Sequence, residues 1–161
     1  IIHQVIELCR QAGVITAVDP KRNNFFSYKQ ADIFKPNLKE VKEGLNLLAD
    51  KINQPLLQNI HKELQNILHH KISFITLSEK GVFYQEAGNS KLIPSHLRNI
   101  ADVSGAGDTV IAVASMVYAI TKNAHLMAEV ANIAGGLVCE EVGTMAVNKE
   151  KLLQECELLL G

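Results

Sequence analysis

A chain of 161 residues with 47% apolar content can bury one sizeable core, so a single globular domain is expected. Its 16 basic and 17 acidic residues leave a net charge of −1, which gives no electrostatic footprint for nucleic acid or for an anionic membrane surface. Cys9, Cys139 and Cys156 stand far apart with no C-x-x-C, which argues against a disulfide framework or a thiolate metal site and fits a reducing, cytoplasmic setting.

In chain order, IIHQVIELCRQAG reads as a helix, with Ile2, Val5, Ile6 and Cys9 on one face and Gly13 as its stop. The chain opens inside this helix without an initiator Met, so a piece of a longer protein is expected. VITAVDP has the β-branched content of a buried strand ending in Asp-Pro, and a polar loop, KRNNFFSYKQ, follows it. ADIFKPN reads as a short strand, and Leu38, Val41, Leu45 and Leu48 predict a helix over 38–49. A further helix starts near Pro55, carries Leu56, Leu57, Ile60, Leu64, Ile67 and Leu68, and ends by His69-His70. Those two histidines are expected as favourable charges near its C-terminal dipole.

ISFITL predicts another buried strand closed by SEKG, and VFYQEA with KLIP around Gly88-Asn89 predicts an antiparallel hairpin. The run VIAVASMVYAI at 110–120 is too short for the roughly 18 residues of a membrane span and reads as part of a buried helix from Gly107 to Lys122. Two more helices are predicted, from about His125 to Cys139 and from Asn148 to Leu160, with Asp102 and Asn148 as local turn or cap residues. Strands alternating with helices predict an α/β fold: three layers, α/β/α, around a mostly parallel sheet, without internal repeats.

The segment ADVSGAGDT, 101–109, carries the chemistry. A helix N-terminus has unpaired N–H groups and roughly half a positive charge, which favours an anion. Gly105, Ala106 and Gly107 are small enough for the backbone to approach a phosphoryl group, and Asp108 in the first turn could accept a proton from an attacking hydroxyl. That combination suits phosphoryl transfer, with the amides stabilising charge on the transferred group. A tight Gly-Ala-Gly turn followed by an ordinary first-turn acid is the alternative. A P-loop and a dinucleotide fingerprint are both missing.

DVSGAGDT resembles the C-terminal signature of the ribokinase-like, or PfkB-type, carbohydrate kinases. VDPK at 18–21, KPNLKE at 35–40, TLSEKG at 76–81 and ANIAGGLVCEEVGT at 131–144 stand in the order that family requires. DPK, PNLKE and EEVGT together look most like the kinase domain of bifunctional heptose-phosphate kinase/ADP-heptose synthases. The resemblance implies a ribokinase-like fold and ATP-dependent phosphorylation of a sugar or sugar-phosphate hydroxyl, here the anomeric hydroxyl of a heptose 7-phosphate. It gives Asp108 the role of catalytic base and the amides of Gly105, Ala106 and Gly107 that of the anion hole.

By the same resemblance Asn37 and Glu40 organise Mg²⁺ through water, an arrangement that suits a hard cation keeping its waters. Read locally, the same pair is an Asn cap with a capping-box Glu. Thr76, Ser78 and Gly81 match the nucleotide-binding turn, with Ser78 where relatives often have glycine. Asn132 corresponds to a residue near the adenine, or is a helix Asn bonded to backbone. Asp102 and Ser104, with backbone oxygens near Val138, Glu141 and Gly143, match a K⁺ site found in many relatives. Lys21 either faces a phosphate or is a solvated loop lysine.

Only the C-terminal, nucleotide-binding half of the family fold is matched by residues 1–161, and its sugar-binding N-terminal half and lid have no counterpart. An exposed sheet edge, self-association into a homo-oligomer and little or no catalysis by the isolated chain are therefore expected. The rival readings are another PfkB-type sugar or nucleoside kinase, and a non-catalytic assembly or regulatory module that keeps the fold.

Overall fold

The computed structural model describes residues 1–49, 51–96 and 98–161. Its elements are α1 (Ile2–Gln11), β1 (Ala17–Val18), β2 (Ile33–Phe34), α2 (Leu38–Gly44), α3 (Gln54–Leu68), β3 (Ile72–Thr76), β4 (Val82–Glu86), β5 (Asn89–Ile93), α4 (Ala106–Thr121), α5 (Ala124–Cys139) and α6 (Lys149–Leu160). Short 3₁₀ turns occupy Arg22–Asn24 and Ser78–Lys80. No helix among the described residues is long and apolar enough to cross a membrane.

The five strands lie in the order β1-β2-β3-β4-β5. β1, β2 and β3 run parallel, whereas β4 and β5 add antiparallel to β3 and to each other. The sheet is therefore mixed and not mostly parallel: a chain that turns back immediately through a tight hairpin can only pair antiparallel, and here that hairpin forms the whole far side. β1 and β5 are the edge strands, and the two paired residues of β1 are fewer than the VITAVDP pattern predicts.

Strand alternation sends side chains into two cores. Ile33, Ile72, Phe74, Val82 and Tyr84 pack with Val110, Val113, Ala114, Met127, Ala128 and Ala131 of α4 and α5. Phe34, Ile75 and Phe83 face Val41 of α2 and Leu57, Ile60, Leu64 and Leu68 of α3. Three layers result. At the α4–α5 crossing a Cβ on Gly135 would come within 2.6 Å of Val110 Cγ2, so the absent side chain sets how closely the helices approach.

Two helices differ from their sequence patterns. α2 stops at Gly44, not at 49, with Asn46 in a left-handed conformation and Leu48 in solvent. A Cβ on Gly44 would lie 2.8 Å from the Phe25 ring, which packs edge-on against Phe26 and Phe34 and occupies the space beside the helix end. α1 buries only Ile6 of its predicted face and leaves Val5 51% exposed, and Leu8, outside that face, is 64% exposed.

One of the paired histidines at the end of α3 departs from expectation. His69 forms the left-handed C-cap, but His70 is buried, so it is not a charge on the helix dipole. Its Nε2 lies 2.6 Å from Ser73 Oγ, and His61 Nδ1 lies 2.9 Å from the same oxygen. Ser73 has one hydroxyl proton, so one ring must accept it and the other must donate to Oγ. His70 Nδ1 has no partner, and a bare lone pair costs less than a stranded N–H, so the network assigns His70 as the donor and His61 as the acceptor.

Burial, and then the neighbouring His61, pushes the His70 pKa down from 6.5 to about 3, and burial lowers that of His61 as well. The unfolded chain then binds more protons than the folded one below pH ~6.5, so this stabilisation is complete above that pH and is lost as pH falls toward 3. Urea unfolding of the chain should show a loss of roughly 2 kcal/mol from His70 between pH 7 and pH 5. His70→Gln should lower stability at pH 7 and flatten that slope, and an unchanged slope would assign the acid sensitivity to other groups.

Candidate active site

The parallel strands deliver the site residues to one edge. Each strand's carboxyl end opens on the same side, so the residues after β1, β2 and β3 become neighbours where the crevice of an open α/β sheet forms. Asp19 and Lys21 follow β1, Lys35 and Asn37 follow β2, and Thr76 closes β3. Asn37 and Thr76 form an isolated parallel bridge, with the Thr76 amide donating to the Pro36 carbonyl at 3.1 Å.

Asn37 caps α2. Its Oδ1 accepts from the Glu40 amide at 2.8 Å, and Glu40 Oε2 accepts from the Asn37 amide at 2.7 Å, which completes a capping box. Each side chain keeps lone pairs beyond those bonds, an oxygen set that suits a cation held through water. Among the described residues no group of three or more His, Cys, Asp or Glu side chains gathers to hold an ion directly.

Gly105 stands at the N-cap of α4 with φ 77°, and a Cβ there would meet Thr144 Cγ2 at 2.8 Å. The conformation and the close approach both favour glycine, and Thr144 brings the EEVGT segment against GAGDT. The Ala106 amide turns back to the Val103 carbonyl at 3.3 Å, so it is partly engaged in the turn. The Gly107 amide meets no acceptor among the described residues, and Asp108 lies exposed in the first turn of α4.

Opposite Gly107 stands a residue the sequence motifs did not single out. A Cβ on Gly107 would lie 3.9 Å from Lys35 Nζ, and the Lys35 side chain is only 3% exposed. Its ammonium pairs with Asp19 Oδ1 at 3.1 Å. Asp19 Oδ2 in turn accepts from Lys21 Nζ at 3.1 Å, and the Lys21 side chain is 71% exposed. The bond from Asp19 raises the Lys21 pKa, and the carboxylates of Glu40 and Asp108 add to that effect from the same mouth. A lysine directly after the apolar pair Ile33-Phe34 of the predicted strand was the available signal, because a charge there needs a countercharge.

The loop of Thr76, Ser78 and Gly81 is held by the Leu77 amide donating to the Gly81 carbonyl at 2.8 Å. Ser78 has φ 54°, which explains why glycine suits this position. Gly81 has φ 91° and ψ −134°, and a Cβ would fall 2.0 Å from the Ile93 carbonyl oxygen. Asn132 is nine-tenths buried and donates from Nδ2 to the Pro94 carbonyl at 2.9 Å, so it ties α5 to the end of β5.

Asp102 braces two loops. Oδ1 accepts from the Ser104 amide at 2.9 Å and its hydroxyl at 2.8 Å, and Oδ2 accepts from the Gly143 amide at 3.1 Å. The Ser104 amide, then its hydroxyl, then the Gly143 amide hold the Asp102 carboxyl below its ordinary range. The residues matched to a K⁺ site are thus brought together, with the carboxylate already accepting three donors. Nearby, Arg98 fills the space beside Gly136 and pairs with Glu140 at 3.1 Å and Glu155 at 2.6 Å, fastening α6 behind this loop.

The family model described as pfkB family carbohydrate kinase matches residues 1–151. The chain belongs to this family. It is 33% identical over 150 residues to the bifunctional protein HldE of Campylobacter curvus, covering 92% of the chain and 31% of that relative. Its fold matches phosphofructokinase-2 from Escherichia coli, solved in complex with potassium, with a TM-score of 0.86 at 18% identity, covering 99% of this chain and 52% of that one. Ribokinase from Thermotoga maritima matches with a TM-score of 0.73 at 18% identity, over 95% of this chain and 53% of that one. The chain thus has a ribokinase-like fold, and it spans about a third of the curated relative and about half of each solved neighbour.

Gly81→Ala should cost at least ~2 kcal/mol in urea unfolding of this chain, because neither the backbone angle nor the space admits a Cβ. Ser78→Gly should leave stability within about 1 kcal/mol, as relief of the left-handed strain is offset by glycine entropy. Equal losses at the two positions would refute this account of the loop.

Proposed function

We propose that this chain carries the nucleotide-binding and catalytic part of an ATP-dependent sugar kinase whose acceptor is a heptose 7-phosphate, phosphorylated at its anomeric hydroxyl. One observation carries the phosphoryl-transfer reading. A buried lysine ammonium faces Gly107 at the N-terminus of α4, and Asp108 stands in the first turn of the same helix. A buried cation beside free helix amides is a site for an anion, and a carboxylate next to it is placed for a proton. The acceptor is inferred from the relatives named bifunctional HldE, at about a third identity over most of this chain.

In this reading Asp108 takes the proton of the sugar hydroxyl as its oxygen bonds to the γ-phosphorus of ATP. The bond from that phosphorus to the β,γ-bridging oxygen breaks, and ADP leaves. The Gly107 amide, the start of α4 and the Lys35 ammonium stabilise charge on the transferred group. Asn37 and Glu40 would hold Mg²⁺ through water, and the ion would supply further neutralisation of the phosphates. Thr76, Ser78 and Gly81 would flank the nucleotide, with Asn132 on the adenine side, and Asp102 and Ser104 would adjoin K⁺. Turnover belongs to the full-length protein, since sugar selection and water exclusion need more of the fold than this chain contains.

In the full-length protein, Asp108→Asn should lower kcat with MgATP by about 10² to 10⁴, the usual cost of losing a general base. Near-normal turnover by that variant would remove Asp108 from the role. A panel of sugars and nucleosides tests the acceptor, and a clear preference for fructose, ribose or a nucleoside over heptose 7-phosphate would reject it while leaving the kinase chemistry intact.

A further inference from the structure

Asp19 meets both lysines of the site, one on each carboxylate oxygen. The two lysines differ physically. Lys35 is sealed in its stem and cannot leave without dragging an ammonium through apolar packing, whereas Lys21 is long, exposed and held only by a surface pair of small energetic worth. An ammonium has three N–H donors, more than the single Asp19 oxygen beside it can take, and the same Nζ stands 3.9 Å from where a Cβ on Gly107 would lie.

We propose that Asp19 is a positioning residue of the phosphoryl-transfer site: one carboxylate oxygen fixes the Lys35 ammonium against Gly107, and the other holds Lys21 until a polyphosphate draws it away. This role rests on the kinase reading above. The site then has one cation fixed in place and one free to follow its ligand. Without the Asp19 charge, the carboxylates left for the Lys21 ammonium are Glu40 and Asp108, which already act on it. A lysine paired to Asp108 would compete with the acceptor hydroxyl for the same carboxylate.

Charge and position make opposite forecasts for Asp19→Asn. Removing a negative charge raises the positive field of the mouth, so binding of a polyphosphate should be unchanged or tighter. Misplacing the fixed cation should slow transfer, and displacements near 1 Å cost about 100-fold in other sites. In the full-length protein, calorimetry with MgADP should therefore give Asp19→Asn a Kd no weaker than the wild type, while kcat with MgATP falls by about 10- to 100-fold.

Asp19→Glu should recover part of that loss. On a Lys35→Met background, Asp19→Asn should change kcat by less than about three-fold, since residues acting through one another do not add. The double variant also removes the buried cation, so it reports even if Asp19→Asn alone fails to fold by circular dichroism. A kcat for Asp19→Asn within three-fold of the wild type, or an undiminished loss on the Lys35→Met background, would overturn the positioning role and leave the kinase reading standing. Failure of the wild-type protein to bind MgADP and MgATP would overturn the kinase reading, and the role of Asp19 with it.

Discussion

A lysine ammonium can stay buried only beside a countercharge, and the Lys35–Asp19 pair therefore ties the site to the register of the sheet. β1 and β2 run parallel with Ala17 opposite Ile33 and Val18 opposite Phe34, and the Lys35 amide donates to the Val18 carbonyl at 2.8 Å. Continuing that register by one residue sets Asp19 beside Lys35. A slip of one position would set Lys35 opposite Val18 or Pro20 in place of Asp19, leaving the buried lysine without its partner, and would drive Phe34 and Ile33 into each other's cores. Sheet pairing and site chemistry are thus selected by the same constraint.

The two cores hold this edge still in different ways. On one face α4 is clamped by α5 across the Gly135–Val110 contact, and Thr144 packs on Gly105 at its N-terminus. The free amide end of α4 is fixed in direction, as charge stabilisation without reorganisation requires. On the other face α2 starts at the Asn37–Glu40 capping box, so the oxygens suited to a hydrated cation also define the first turn of a helix. Their structural and chemical readings are compatible, because each oxygen used in the cap keeps a lone pair beyond its capping bond.

Much of this was legible in the sequence where the signal is local. Period-3.6 stripes located α3, α4 and α5, and the run 72–77 with the following hairpin located β3, β4 and β5. Gly105 was recognisable by residue type and Ser78 only through the family resemblance, and their positive φ values supply the reason. What escaped depends on contacts distant in the chain. Lys35 and Asp19 become a pair only once β1 and β2 align, and His70 becomes a buried neutral ring only because Ser73 and His61 enclose it. The end of α2 escaped for a similar reason: Leu45 and Leu48 continue the periodic pattern, but Phe25 takes the space beside Gly44. The hairpin that makes the sheet mixed was legible, but its pairing against β3, with only two residues each in β1 and β2, was not, because hydrophobic pattern does not encode which strands become neighbours.

The site is also unequally supported. β3 is paired along its whole length with β4, and Thr76 and Gly81 inherit that rigidity. Asp19 follows an edge strand of two paired residues, next to a helix that leaves Val5 and Leu8 in solvent. Short edge strands open at lower free energy than central ones, so the nucleotide-flanking loop and the lysine-bearing corner stand on different local stabilities. Anything that adds a neighbour to β1 would stiffen the corner holding Asp19 while leaving the loop at Gly81 largely as it is. Order at the sheet edge and alignment of the Lys35 ammonium are therefore coupled, since the residue that orients the buried charge is the one that extends the least supported strand.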